Sequence, residues 1–273
     1  MNRFIGHAFV VLLFSCVCVA QKAEKLTSEA IIVKHLASVG TSDALAAVKS
    51  RLMVGTGVFT AKNNPGKVGG AAQLASSGDN FLLVMLLNAN NYPYEKLAFD
   101  GKELTTGILP SGNSSPLGGF LKSNKLIVKN GLLGGVLSLS WPFLHADQKA
   151  SLESAGIAKV GDRSLYKLKY TASGIGEMTI SFYFEPNTFR HVRTEYFYRT
   201  GQLASPDRVG GFAPNTYELT EEFSNFTKVD NLVLPLGYVL EFTTDAGRTM
   251  TWSVSFVQVY NNQPIDASAF RVS

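Results

Sequence analysis

Polar and apolar residues alternate through most of this chain with a period of two, the mark of strands that bury one face. The clearest case lies near the end. Leu232, Leu234, Leu236, Tyr238, Leu240 and Phe242 take every second position, and Met250, Trp252, Val254 and Phe256 repeat the pattern beyond a turn at 245–247. Upstream, 151–160 leads through Gly161-Asp162 into 165–171, and 177–184 is joined to 189–200 by Glu185-Pro186-Asn187-Thr188, with a further strand at 217–226. The first half reads the same way, with strands at 51–60, 68–76, 81–87 and 94–100 arranged as an antiparallel meander.

Two stretches break this rhythm. Near the start, Ile31, Ile32, His35, Leu36 and Val39 fall at helical spacing behind the capping residues Thr27 and Ser28, Gly40 ends the helix, and a second short helix spans 42–48. In the middle, 109–147 runs from a Gly/Ser/Pro segment into a helix near 116–129 and then through GLLGG and LSLSWPFL. Glycine-given freedom combined with leucines suits a mobile cover over a cavity; an ordinary helical crossover with a long loop is the competing reading. The strand 81–87, FLLVMLL, is apolar at both parities and so must be covered on both faces, one cover being helix and the other open to a ligand.

The fold expected from this order is mainly β with α: a strongly curved antiparallel sheet of roughly nine to eleven strands, an unclosed β-barrel covered by the N-terminal helices and the inserted helix at 117–129. A parallel sheet flanked by crossover helices would contradict this expectation.

The first residues change the picture of where the chain works. Asn2 and Arg3 precede an apolar run at 8–20, AFVVLLFSCVCVA, too short for the roughly 20 residues of a spanning helix and closed by small residues. This reads as a signal peptide over 1–20, cleaved after Ala20 to leave a single domain over 21–273. An uncleaved anchor and lipidation at Cys16 are the alternatives. Both cysteines, Cys16 and Cys18, lie inside that segment, so the mature chain holds no disulfide, thiolate metal site or cysteine nucleophile. The formal net charge of +4 falls by one on losing Arg3, and the Lys and Arg residues form no block, which argues against a nucleic-acid partner. Aromatic content of 11% against 17% charged residues points to much apolar surface to hide, in a core or around a ligand.

Catalytic signatures are absent: there is no HExxH, GxSxG or GxxxxGK[ST]. The histidines beyond the leader, His35, His145 and His191, stand far apart in sequence, so neither a catalytic site nor a metal site or cofactor is expected. His191, Arg193 and Glu195, at i, i+2 and i+4, should project from one strand face. They read as cross-strand charge pairs on a solvated surface in preference to an acid/base group or a headgroup site. Glu221 and Glu222 point to opposite faces and cannot form a dyad.

Together, VKSRLMVGTGVF at 48–59, LAFDGK at 97–102, the helical insertion, GIAKVGDRSLYKLKY at 156–170 and FYFEPNTFRHVRTEY at 182–196 resemble the outer-membrane lipoprotein carrier superfamily (LolA/LolB-like), in its uncharacterised envelope branch. The resemblance covers nearly all of the mature chain. It implies a half-barrel with a helical lid at 109–147 and a non-catalytic, periplasmic carrier of lipid or lipoprotein acyl chains. An envelope membrane or a lipoprotein-handling protein would be its further partner. An envelope sensor or assembly partner on the same scaffold is the second reading and a hydrolase the third. In carriers of this type an Arg-Pro pair ahead of the third strand helps latch the lid; here Gly78-Asp79-Asn80-Phe81 stands in that place.

The expected apolar binding surface combines inward strand positions with the cover. Leu83, Met85 and Leu87 come from the doubly apolar strand, Phe182 and Phe184 from the central hairpin, Tyr238, Phe242, Trp252 and Phe256 from the last hairpin, and Leu132, Leu133 and Trp141 from the insertion. Methionine and aromatic side chains adapt to flexible chains, and each buried methylene contributes about 0.8 kcal/mol.

Overall fold

The computed structural model describes residues 26–62, 64–144, 151–171, 174, 178–199 and 215–272. The signal-peptide segment 1–20, Cys16, Cys18 and His145 lie outside them.

Two helices come first, α1 (Ser28–Val39) and α2 (Ser42–Ala47). Thr27 caps α1 by accepting from the Ala30 N–H, and Ile31, His35 and Val39 form its buried stripe at the i, i+4, i+8 spacing. A meander follows: β1 (Ser50–Ala61), β2 (Asn64–Ser77), β3 (Asn80–Leu87), β4 (Tyr94–Phe99) and β5 (Leu104–Thr106). Then comes the inserted segment, with α3 (Pro116–Ser123), α4 (Leu126–Lys129) and single 3₁₀ turns at Gly135–Leu137 and Pro142–Leu144. The second meander comprises β6 (Ser151–Val160), β7 (Arg163–Thr171), β8 (Thr179–Phe184), β9 (His191–Arg199), β10 (Thr216–Val229), β11 (Leu232–Thr243) and β12 (Thr249–Asn261), and a 3₁₀ turn at Ala267–Phe270 ends the described chain.

All the strands form one twelve-stranded antiparallel sheet in the order β5-β4-β3-β2-β1-β12-β11-β10-β9-β8-β7-β6. The sheet is open, as expected, with one strand more than the upper expectation, because the three-residue β5 carries no alternation long enough to read. The single helix expected over 117–129 is two, broken where Asn124 leaves helical geometry and its side chain bonds back to the Phe120 carbonyl.

The strand order places β5 and β6 at opposite edges of the sheet although they are consecutive in sequence. The chain between them must therefore cross the open side of the half-barrel. Sheet curvature puts the apolar parity of nearly every strand on the concave side, so the crossing segment lands on an apolar surface and fills it. Leu117, Phe120, Leu121, Ile127, Val128, Leu132, Leu133, Val136, Leu137, Trp141 and Phe143 all join one continuous core with the inward strand residues. We call residues 109–144 the strap.

On its second face the doubly apolar strand β3 is covered by protein only around Leu82, and Leu86 on that face is 51% exposed. Leu82 packs with Ala75, Ala98 and Phe270 in a smaller convex cluster, sealed by Ile265 and Val272 of the C-terminal segment. That segment is pinned by an Arg271–Asp100 ion pair at 2.8 Å and by the Val272 N–H donating to Thr105 Oγ1 at 2.9 Å. The expectation that the strand must be covered along both faces therefore fails at Leu86, while at Leu82 the cover is protein. The reason is chain length: residues 262–272 return across β3 and β4 after the last strand, which strand periodicity could not foretell.

Candidate functional site: the concave interior and its strap

The twelve residues expected to form the binding surface meet on the concave side. Leu83, Met85 and Leu87 of β3, Phe182 and Phe184 of β8, Tyr238 and Phe242 of β11, and Trp252 and Phe256 of β12 face Leu132, Leu133 and Trp141 of the strap in a single cluster. None is more than 5% exposed. Their apolar surface is covered by one another.

Polar groups hold the strap down, and most of them escaped the sequence reading. Glu221, fully buried on β10, accepts the Gly134 N–H at 2.6 Å and the Tyr238 hydroxyl at 2.6 Å on Oε1, while Oε2 lies 2.7 Å from the Tyr196 hydroxyl. Tyr196 in turn donates to the Leu132 carbonyl at 2.8 Å. The strap presents these groups because Gly134 and Gly135 both adopt positive φ, 86° and 52°, a left-handed turn that glycine enters at little cost. Burial pushes the Glu221 carboxyl up to about 7, and the Tyr196 and Tyr238 hydroxyls well above the usual tyrosine value. Tyr217, Leu219, Glu221 and Phe223 share one parity of an alternating strand; a carboxylate on that apolar face was the available signal.

Arg51 is the second tie. Its guanidinium is 2% exposed and donates from Nη1 to the Val136 carbonyl at 2.6 Å and the Leu137 carbonyl at 3.5 Å, and from Nε to Asn261 Oδ1 at 3.2 Å. Burial pushes it down to about 10, which leaves it charged at neutral pH. The strap is thus tied by an arginine from β1, not from the β2–β3 turn where Gly78-Asp79-Asn80-Phe81 stands. Arg51→Met removes the charge together with its bonds and leaves two strap carbonyls unpaired, each worth about 1–3 kcal/mol. Urea unfolding should show a loss of that order; unchanged stability would mean that the carbonyls find other donors.

Two further contacts complete the hold. Ser76 Oγ accepts the Leu139 N–H at 2.8 Å. At the other end, Glu95 on β4, 3% exposed, accepts the hydroxyl of Ser115, the α3 cap, at 2.8 Å and that of Tyr92, while Trp252 Nε1 donates to Tyr92 at 3.1 Å. Burial pushes Glu95 up to about 7 as well.

His35 and His191, distant in sequence, meet beneath the strap with ring centroids 6.2 Å apart, and Trp141 stacks on His191 at 5.1 Å. His35 Nδ1 bonds the Phe189 carbonyl at 2.8 Å and His191 Nε2 the Arg193 carbonyl at 2.9 Å. Their other ring nitrogens and Trp141 Nε1 are buried without a hydrogen-bond partner among the described residues. Burial pushes His35 down to about 4 and His191 well below its ordinary value, so both are neutral at pH 7.

The single face expected for His191, Arg193 and Glu195 is not formed. The register between β8 and β9 shifts at Tyr183/Phe184, so that Phe184 opposes His191 while Tyr183 opposes Arg193. This bulge sends His191 into the core and keeps Arg193 and Glu195 on the convex face. There Arg193 pairs along its own strand with Glu195 at 2.8 Å and across to β10 with Glu222, so only the second is the cross-strand charge pair expected of a solvated surface. Glu221 and Glu222 do face opposite ways. Among the described residues no group of three or more His, Cys, Asp or Glu side chains could hold a metal ion.

One open cleft of about 500 Å³ lies at the end of the half-barrel, where Phe120 of α3 meets Tyr198, Tyr217 and Phe242. Tyr217 and Phe242 stack at 6.3 Å with their planes 6° apart. Phe242 is the residue of the expected surface that lines this cleft.

No helix among the described residues is long and apolar enough to cross a membrane. No protein-family model and no curated protein matches the chain. Among solved structures, the chain is similar to a LolA superfamily protein from Nitrosomonas europaea, at 12% identity and a TM-score of 0.48, over 90% of this chain and 98% of that one. It is also similar to a DUF1329 family protein from Desulfovibrio piger, at 10% identity and a TM-score of 0.48, over 89% and 96%. A third is a putative outer membrane lipoprotein-sorting protein domain from Vibrio parahaemolyticus, at 9% identity and a TM-score of 0.43, over 88% and 94%.

Proposed function

We propose that this protein is a non-catalytic periplasmic carrier that takes lipid or lipoprotein acyl chains into its concave interior when the strap lifts. The observation that carries the reading is how the interior is filled. The sheet does not close on itself, and the apolar side of a twelve-stranded half-barrel is occupied by a connecting segment tied down at a few polar points. Once lifted, the strap uncovers a continuous apolar surface in which Met85, Phe182, Phe184 and Trp252 can receive flexible chains. The aromatic cleft at Phe120, Tyr198, Tyr217 and Phe242 gives a chain its first contact from solvent. Groups with displaced proton affinity, Glu95, Glu221 and both histidines, are each at most 3% exposed, packed among apolar side chains. Their arrangement supports holding and release in preference to turnover. A membrane surface or a lipoprotein-handling protein in the envelope would supply and receive the cargo.

The test has two arms. Native mass spectrometry of protein taken from its own envelope fraction should show copurified lipid or lipoprotein. A fluorescent fatty-acyl probe should be taken up by the purified protein and displaced by lipid. Protein that carries no lipid and takes up no probe would end the carrier reading.

A further inference from the structure

We infer that Glu221 is a proton-operated latch of the strap: its neutral carboxyl secures the Leu132 carbonyl through Tyr196, and its ionised form lets that carbonyl go. The inference deepens the carrier reading by naming what controls access to the interior.

Hydrogen-bond counting carries the argument. Tyr196 has one hydroxyl proton and two oxygen neighbours at bonding distance, the Leu132 carbonyl at 2.8 Å and Glu221 Oε2 at 2.7 Å. A carbonyl cannot donate. Both contacts are hydrogen bonds when Glu221 is protonated on Oε2, donating to Tyr196, which then donates to Leu132. Oε1 remains free to accept the Gly134 N–H and the Tyr238 hydroxyl. An ionised Glu221 has no proton to give. It draws the Tyr196 proton to itself, and the Leu132 carbonyl is left buried without a donor among the described residues, a cost that lifting the strap relieves.

The surroundings favour the neutral form in the closed state. The groups facing the carboxyl are Tyr196 from β9, Tyr238 from β11 and the strap backbone at Gly134, none of them a cation. Tyr170 of β7 adds only a further phenol near Tyr196. Arg51 serves the next strap turn, at Val136, and Arg193 is held by Glu195 and Glu222 on the convex face. Burial accordingly pushes Glu221 up to about 7. Lifting the strap returns the carboxyl to water, near the ordinary value of about 4.3. Closed protein therefore binds this proton more tightly than open protein. Opening through Glu221 grows as pH rises from about 4.5 to about 7 and levels off above. His191 lies against Gly135 and works oppositely, since its protonation on exposure favours opening on the acid side. A measurement must separate the two.

The ratio of wild type to Glu221→Gln does so. Glutamine is neutral at every pH and can donate to Tyr196 from its amide while its oxygen accepts from Gly134 and Tyr238, so E221Q fixes the latch shut. Hydrogen exchange of the amides at 131–139 is measured by mass spectrometry on the ligand-free, purified chain from pH 5 to 8 and corrected for intrinsic exchange. The opening constant of wild type divided by that of E221Q is expected to climb by up to about tenfold per pH unit and to flatten near 7. In a Glu95→Gln background, which removes the other carboxyl of raised affinity from both sides of the ratio, the same climb should remain. A flat ratio, or a rise abolished by E95Q, overturns the inference. Should E221Q not fold, Glu221→Met, which is also neutral at every pH, takes its place. The opening constant of wild type divided by that of E221M should show the same climb between pH 5 and 7, and a flat ratio would overturn the latch equally. No ligand is used, so a pH-dependent ratio together with no probe uptake would sink the carrier reading and leave the latch standing.

Discussion

Trp141→Ala is expected to lower stability by about 3–5 kcal/mol, the range for emptying a large aromatic site in a packed core. The indole is fully buried, stacks on His191, meets His35 edge-on at 5.2 Å and touches Phe143 at 4.7 Å, so it joins strap, α1 and β9 in one contact set. Its unpartnered Nε1 reduces the loss slightly, since removing the ring also removes a desolvated donor. Guanidinium unfolding followed by circular dichroism would measure the change. A loss below about 1 kcal/mol would show that the strap contributes little to the fold in solution. Leu133, 1% exposed inside the same core, belongs with Trp141 and should cost about 2–5 kcal/mol on truncation to alanine.

Acidification is expected to expose a second large effect, hidden in the wild type by opposed groups. His35 and His191 have depressed affinity in the folded state, so the stability they contribute is present above about 6.5 and is lost as pH falls toward about 4. Glu95 and Glu221 have raised affinity, about 7, so their contribution is present below about 4.5 and is lost as pH climbs to 7. Between roughly 4.5 and 6.5 the two pairs slope against each other and the wild-type profile should be nearly flat. Replacing His35 by Asn and His191 by Gln keeps the nitrogen that bonds each backbone carbonyl and removes the titration. The double variant should then gain stability steadily as pH falls from 7 to 4.5. The depression of His35 alone, to about 4, corresponds to about 3 kcal/mol of difference at low pH. Urea midpoints at half-unit intervals of pH would measure both profiles. Parallel curves for wild type and variant would mean that the histidines do not charge on unfolding in this range.

Much of the architecture could be read from periodicity, because a sheet with one buried face writes its parity into every strand. Leu232 through Phe242 and Met250 through Phe256 fixed both the last hairpin and its inward residues. What escaped were the places where a single residue breaks the period. The bulge beside Val192 reverses the parity of His191 against Arg193, and a strict count of two cannot see an inserted residue. Arg51 and Glu221 were legible as charged residues on apolar parities. Their meaning was not, since it depends on the Val136 and Gly134 backbone arriving from residues 85 and 87 positions away. The pairing of β1 with β12 belongs to the same class of long-range fact. It decides which strands become edges and hence where the strap must run.

That placement of edges gives the molecule the mechanics of a strung bow. The sheet is the bent limb, β5 and β6 are its tips, and residues 107–144 are the described part of the string between them. A door swings from one hinge, but a string held at both tips can only be drawn sideways or slackened by relaxing the limb. Space for cargo therefore grows with any flattening of the twelve strands, and the length of the string limits how far they can flatten. Capacity and curvature become one variable. A cargo that lifts the middle of the string pulls on both tips at once, so its presence is felt at β5 and β6, far from the chain it displaces.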